Sequence, residues 1–322
     1  MSRRDMTYYR IAGLELCIEK RLMTIKQGDK EPLCRLGSFA PFQIAEPTKP
    51  KPDCCVWLAD EDTLTNSESW SKGGGMKLLH SFEFSDADAT CRFYKECSDC
   101  DSQSYLLTIE NNNEIITEFR CNAHSDEVEC RILPNSRIGI DDQAFTSYLR
   151  FGLWFALGIS AARRMVAAVH SSTIVYNDKA VMFLGESGTG KSTHTRLWRE
   201  NIEGATLLND DSPFVGSADG KPLVYGSPWS GKTHCYKNQQ YPMRAIVRLS
   251  QAPHNKIRRL KGVAAIGALL PSLPPAFAFD SRLKELMFDI LGKVLEQVEV
   301  YHLECLPDAD AAKVAHKALF EL

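Results

Sequence analysis

The chain has 322 residues, 44% hydrophobic and 25% charged, which is ordinary for a soluble globular protein and long enough for two domains. A formal net charge of −3 and a sequence pI near 6.3 argue against general nucleic-acid binding. Two arginines near Met1 are not followed by an apolar run, so no signal peptide is expected. The longest uncharged apolar run, Phe151 to Ala162, lies between Arg150 and Arg163. A bilayer span needs about 20 such residues, so this run reads as a buried helix, with no membrane partner and a cytoplasmic location expected.

Residues 1–140 read as a smaller β-rich domain. Tyr8 to Ile18 has strand-like composition, and Ser104–Ile109, Glu114–Phe119 and Glu127–Ile132 are short runs separated by polar turns such as Asn111-Asn112-Asn113. Residues 44–75, with Pro47, Pro50, Pro52 and Gly73-Gly74-Gly75, read as loop. Nine of the eleven cysteines precede residue 131, and without a secretion signal they are expected to be reduced thiols. Cys97-x-x-Cys100 followed by Cys121-x-x-His124 has the donor types of a tetrahedral zinc site. Scattered thiols in and around strands are the stronger expectation, because the segment between the pairs reads as strand.

The pattern changes near residue 141, where a domain running to the C-terminus begins. Phe145 to Val169 lacks proline and is apolar on most faces, which predicts a long buried helix. Thr173–Tyr176 and Ala180–Leu184, split by Asn177-Asp178-Lys179, predict a hairpin whose second strand enters a glycine-rich loop. Farther on, Leu283, Leu286, Met287, Ile290, Leu291, Val294 and Val298 fall at helical spacing behind Asp280, a candidate N-cap. A strand at Val298–Leu303 and a helix at Asp308–Phe320 close the chain.

Gly185-Glu186-Ser187-Gly188-Thr189-Gly190-Lys191-Ser192 matches G-x-x-x-x-G-K-[ST] in full. Its glycines allow a tight backbone whose N–H groups point at phosphate oxygens, and the helix expected from Lys191 adds a positive end. Lys191 then neutralises the β- and γ-phosphates, the Ser192 hydroxyl serves Mg²⁺, and Thr193 follows in the first helical turn. The expected ligand is a nucleoside triphosphate with Mg²⁺, taken as ATP by analogy.

A short apolar strand, Ala205–Leu208, runs into Asn209-Asp210-Asp211. Carboxylates at a strand end suit Mg²⁺, and a second acid can take a proton from an attacking hydroxyl. Adjacent strand residues face opposite ways, so both acids can act only if the chain turns, as Pro213 suggests. From Gly220 to Phe279 there is no Asp or Glu but nine Lys or Arg residues, of which Lys232 and Arg244 are the leading candidates for a functional cation. Gly226-Ser227-Pro228-Trp229-Ser230-Gly231-Lys232 reads either as a mobile loop over the phosphates or the acceptor, or as an ordinary turn beside a solvated basic face.

The order His170, hairpin, Gly185–Ser192, Asp210-Asp211 resembles the C-terminal catalytic domain of bacterial HPr serine kinase/phosphorylase. It is also similar to the nucleotide site of ATP-dependent phosphoenolpyruvate carboxykinase. The resemblance implies a P-loop α/β (α+β) domain with a mixed sheet, and roles in the chemistry for His170, Asp210 and Asp211. The acidic residue and arginine that HPr kinases carry before a Gly-x-Gly stretch have no counterpart in Leu223-Val224-Tyr225-Gly226, so the resemblance does not imply HPr as the acceptor. Three readings stand: a kinase acting on a hydroxyl of a protein, peptide or small molecule; a carboxykinase-type enzyme; and a nucleotide-sensing binding module. The acceptor and the oligomeric state, a homo-oligomer included, are left open by the residues.

Overall fold

The computed structural model describes residues 5–24, 36–59, 69–72, 75–84, 88–96, 104–122, 126–133, 142–231 and 233–321. It is a mixed α/β structure that divides into two compact units, Met1–Ser160 and Ala161–Leu322. Lys232, Cys97, Cys100 and His124 lie outside the described residues, and so does the zinc set that needs the last three of them.

The first unit is built on a sheet of nine strands: β1 (Met6–Ile11), β2 (Leu14–Glu19), β3 (Gln43–Ile44), β4 (Cys54–Leu58), β5 (Met76–Phe84), β6 (Ala89–Glu96), β7 (Ser104–Asn111), β8 (Glu114–Asn122) and β9 (Glu127–Ile132). Their order is β3-β1-β2-β4-β9-β8-β7-β6-β5. Tyr8–Ile18 is therefore two strands, because Ala12-Gly13 turns with positive φ. β4 lies inside the stretch read as loop and pairs in parallel with both β2 and β9, so its prolines flank the strand rather than exclude it. Asn112 and Asn113 take positive φ between β7 and β8, as the turn reading requires. Cys17, Cys55, Cys91 and Cys121 carry unbridged thiols.

The long helix spans Asp142–Ala162, shorter than the predicted 145–169. Met165 adopts a positive φ and Val166 bonds back to the Ala161 carbonyl, which ends the helix and releases Ala167-Ala168 as a strand, β10. Most of this helix belongs to the first unit, so the division falls after Ser160 rather than after residue 140. The physical reason is aromatic packing: Phe151 stacks on Phe84, Phe155 meets Phe93 edge-on, and Gly152 sits against the Phe119 ring.

The second unit continues with β11 (Ser171–Tyr176), β12 (Lys179–Leu184), β13 (Thr206–Asp211), β14 (Phe214–Ala218), β15 (Lys221–Tyr225), β16 (Gln240–Gln251), β17 (Lys256–Leu260) and β18 (Glu299–Cys305). The path β10-β14-β15-β16-β12-β11-β13 is extended by β18 pairing with β16 and β17 with β18. β11 and β12 form the expected antiparallel hairpin, with Asn177 and Asp178 both at positive φ in its turn. β12 pairs in parallel with β16 on its other side, so the sheet is mixed.

Alternation along β12 sends side chains to two cores. Val181 and Phe183 pack with Leu197 and Trp198 of the helix Lys191–Asn201 and with Ala312, Ala315 and Leu319 of the helix Ala309–Phe320. Met182 and Leu184 face Leu269 and, from the helix Ser281–Leu295, Leu291 and Val294. Asp280 caps that helix by accepting from the Leu283 N–H at 3.0 Å, and Asp308 caps the last helix through the Ala311 N–H at 2.9 Å. Among the described residues no helix is long and apolar enough to cross a membrane.

Candidate functional site

The glycine-rich loop joins the end of β12 to the helix Lys191–Asn201. Gly188 and Gly190 have φ of 80° and 104°, conformations that side chains other than glycine rarely adopt, and Gly190 stands as the helix N-cap. A Cβ on Gly185 would meet Thr189 at 2.9 Å, so the loop closes tightly on itself. Thr189 reinforces the closure, its hydroxyl donating to the Glu186 carbonyl at 2.7 Å. The Lys191 ammonium donates to the Gly185 and Glu186 carbonyls at 2.8 and 3.2 Å, which lays it back across the loop. Glu186, Ser187 and Gly188 are exposed; Thr189, Gly190, Lys191, Ser192 and Thr193 are half-buried.

Register carries the other residues to the same end of the sheet. Leu184, the last residue of β12, pairs with Ser171, and Ser171 pairs with Asp211. His170 therefore stands just beyond the row, and its Nδ1 lies 3.3 Å from Asp211 Oδ1. Asp210 is 3% exposed, whereas the Asp211 side chain is 40% exposed. One Asp210 carboxylate oxygen accepts from the Thr233 N–H at 3.2 Å. Burial pushes the Lys191 ammonium pKa down, the charges of Asp211 and Asp210 act against that, and Arg248 adds to it. Both acids thus act electrostatically on the loop lysine, although they neighbour each other on one strand.

The turn that permits this comes from Asn209, a residue the sequence reading passed over. Its buried amide oxygen accepts from the N–H groups of Asp211 and Ser212 at 3.1 and 2.9 Å. This is the local side-chain mimicry of a turn for which Asn is suited, and it operates with Pro213. The Asn209 NH₂ donates to the carbonyls of Ser227 and Trp229 at 3.2 and 3.0 Å. The available signal was an Asn immediately before an acid pair at a strand end.

Those contacts also revise the reading of Gly226–Lys232. Ser227 and Trp229 are buried, Gly231 N–H donates to the Asp210 carbonyl at 2.6 Å, and Ser230 bridges to Asp211. A Cβ on Gly231 would lie 2.8 Å from the Asp210 carbonyl oxygen. The described part of the segment is a largely buried brace for the acids rather than a mobile loop or a solvated turn.

Arg244 is not brought to the loop. It lies near the start of β16, beside Met243, which pairs with Ala180 at the far end of β12, and it bonds to Glu299 at 3.3 Å. The cation at the loop is Arg248, the β16 partner of Leu184. The sequence placed Arg248 among nine cations, and only the parallel register separates it from the others. The acid-free segment does not form one basic surface, because Arg244 and Arg259 both pair with Glu299.

Ser192, Asp210 and Asp211 offer only oxygen donors, the set a hard divalent cation such as Mg²⁺ prefers. Among the described residues no cluster of three His, Cys, Asp or Glu side chains forms a protein-only metal cage.

No known protein family matches the chain, and no curated protein matches it in sequence. Among solved structures, the Hpr(Ser) kinase/phosphatase from Coxiella burnetii matches 48% of this chain and 97% of that chain, at 10% identity and a TM-score of 0.30. A likeness at that TM-score is one of outline only.

Proposed function

We propose that this chain is a nucleoside triphosphate-dependent phosphotransferase using ATP with Mg²⁺. The observation that carries the reading is the convergence at one sheet end of a complete Gly185–Ser192 loop, two carboxylates and His170, supplied by β11, β12 and β13. The loop's N–H groups and the positive end of the helix Lys191–Asn201 bind the phosphates, and Lys191 offsets their charge. Ser192 and Asp210 would hold the cation, which when bound neutralises charge on the phosphate oxygens. Asp211, half-exposed and paired with His170, is placed to accept a proton from the acceptor hydroxyl. The acceptor oxygen bonds to the γ-phosphorus, the bond from that phosphorus to the β-γ bridging oxygen breaks, and ADP leaves. This is the chemistry implied by the residue order that resembles HPr serine kinase.

The test is transfer of labelled γ-phosphate from ATP·Mg²⁺ into a cell extract, comparing wild type, Lys191→Ala and Asp211→Asn. Label that appears only with wild type supports the kinase and hands over its acceptor. Nucleotide binding without transfer supports the sensor reading instead, and CO₂ exchange with oxaloacetate supports the carboxykinase one. No nucleotide binding at all removes the proposal.

A further inference from the structure

The paired row that carries Asp211, Ser171 and Leu184 continues past the loop. Leu184 pairs with Arg248, Arg248 with His302, and His302 with Arg258, on β12, β16, β18 and β17. The loop is thus flanked by acids on one side and by a basic row on the other. Within that row Arg248 is set apart. Arg258 is exposed and bonds to His302 Nδ1 at 3.2 Å. The Arg248 side chain is only 19% exposed and its Nη2 donates to Glu186 Oε1 at 3.2 Å. Its Nη1 is buried and, among the described residues, has no hydrogen-bond partner.

A guanidinium presents a planar fork that matches two oxygens of a phosphate or carboxylate. Here half of the fork is satisfied by a carboxylate that is itself 81% exposed, and the other half is not satisfied. Leaving a buried N–H of a charged group without a partner is unfavourable, so a built position of this kind points to an absent anion. The loop and the strand end are held together independently, because Gln251 Nε2 donates to the Gly188 carbonyl at 3.2 Å.

We propose that Arg248 is a second phosphate-binding cation, which exchanges the Glu186 carboxylate for the terminal phosphate of a bound nucleoside triphosphate. The proposal rests on the nucleotide reading above and deepens it. Glu186 is a gatekeeper in the electrostatic sense: its charge repels an incoming phosphate and competes for the same guanidinium. Its exposure lets it swing into water when the phosphate arrives. The loop amides serve diphosphates and triphosphates alike, so Arg248 adds discrimination between the two.

The experiment is isothermal titration of the full chain, in Mg²⁺, with a non-hydrolysable ATP analogue and separately with ADP. Arg248→Met is expected to weaken the triphosphate analogue by about 10- to 100-fold while ADP changes less than about twofold, the range for a charge-assisted hydrogen bond. Arg248→Lys keeps a point charge and is expected to fall between. Glu186→Gln, at an exposed position, is expected to tighten the triphosphate analogue several-fold, and Arg258→Met to leave both ligands unchanged. Equal weakening of both ligands by Arg248→Met, or no effect of Glu186→Gln on the triphosphate, overturns the assignment. Wild type that is folded by thermal unfolding yet binds neither nucleotide overturns the nucleotide reading itself, and this proposal with it.

Discussion

Replacing Asn209 by alanine tests whether one buried amide sets the geometry of the acid pair that follows it. The side chain makes five hydrogen bonds: three from Nδ2, to Ser227 O, Ser227 Oγ and Trp229 O, and two to Oδ1, from Asp211 N and Ser212 N. A buried hydrogen bond contributes about 1 kcal/mol net. The Ser227 hydroxyl also donates to the Ser212 and Trp229 carbonyls, so the bonds from Nδ2 are partly shared. The expected loss is therefore about 4 kcal/mol in the second unit. At a urea slope of about 2 kcal/mol per M, the corresponding midpoint falls by about 2 M, read by fluorescence of Trp198 and Trp229. Asn209→Asp preserves the Oδ1 acceptor but turns a second oxygen on two carbonyls, so it is expected to be no better than alanine. Phosphoryl transfer should be lost in both variants while nucleotide binding survives at low urea, because the loop hangs on a different strand. A midpoint shift below about 0.3 M with transfer intact would refute the argument that Asn209 builds the turn.

Burial pushes the His194 imidazole down to about 4 from its ordinary 6.5. The unfolded chain then binds more protons between those values, so stability is full above about pH 6.5 and falls as pH drops toward 4, by on the order of 3 kcal/mol. Among the described residues His194 Nδ1 is buried without a partner, and Nε2 accepts from the Trp198 indole N–H at 3.0 Å, so a neutral acceptor is what the site holds. Denaturant midpoints measured across that window should slope for wild type and flatten for His194→Gln. Gly226→Ala places a Cβ 2.0 Å from the Lys237 carbonyl oxygen, a backbone atom, and is expected to destabilise the second unit by at least about 2 kcal/mol in calorimetry. Unchanged unfolding would show that the segment is not the fixed brace described above.

The sequence by itself determined what depends on local chemistry. Asn177-Asp178 tolerates left-handed φ and so makes the hairpin; glycines at 188 and 190 supply positive φ; Asp280 and Asp308 cap helices because their carboxylates reach N–H groups three residues on. The loop motif and the acid pair were legible for the same reason, since their residue types are tied to a short stretch of backbone. Burial and register were not legible. The long helix's membership of the first unit depends on aromatic rings contributed by β5 and β6, and its end at Ala162 on the backbone turn at Met165. Arg244 and Arg248 are four residues apart on one strand and indistinguishable by composition. The parallel pairing of β16 with β12 carries Arg248 to the loop and leaves Arg244 at the opposite end with Glu299. Such pairing joins residues more than sixty positions apart in the chain. It is selected by the packing of two cores at once, and no local window of sequence contains that information.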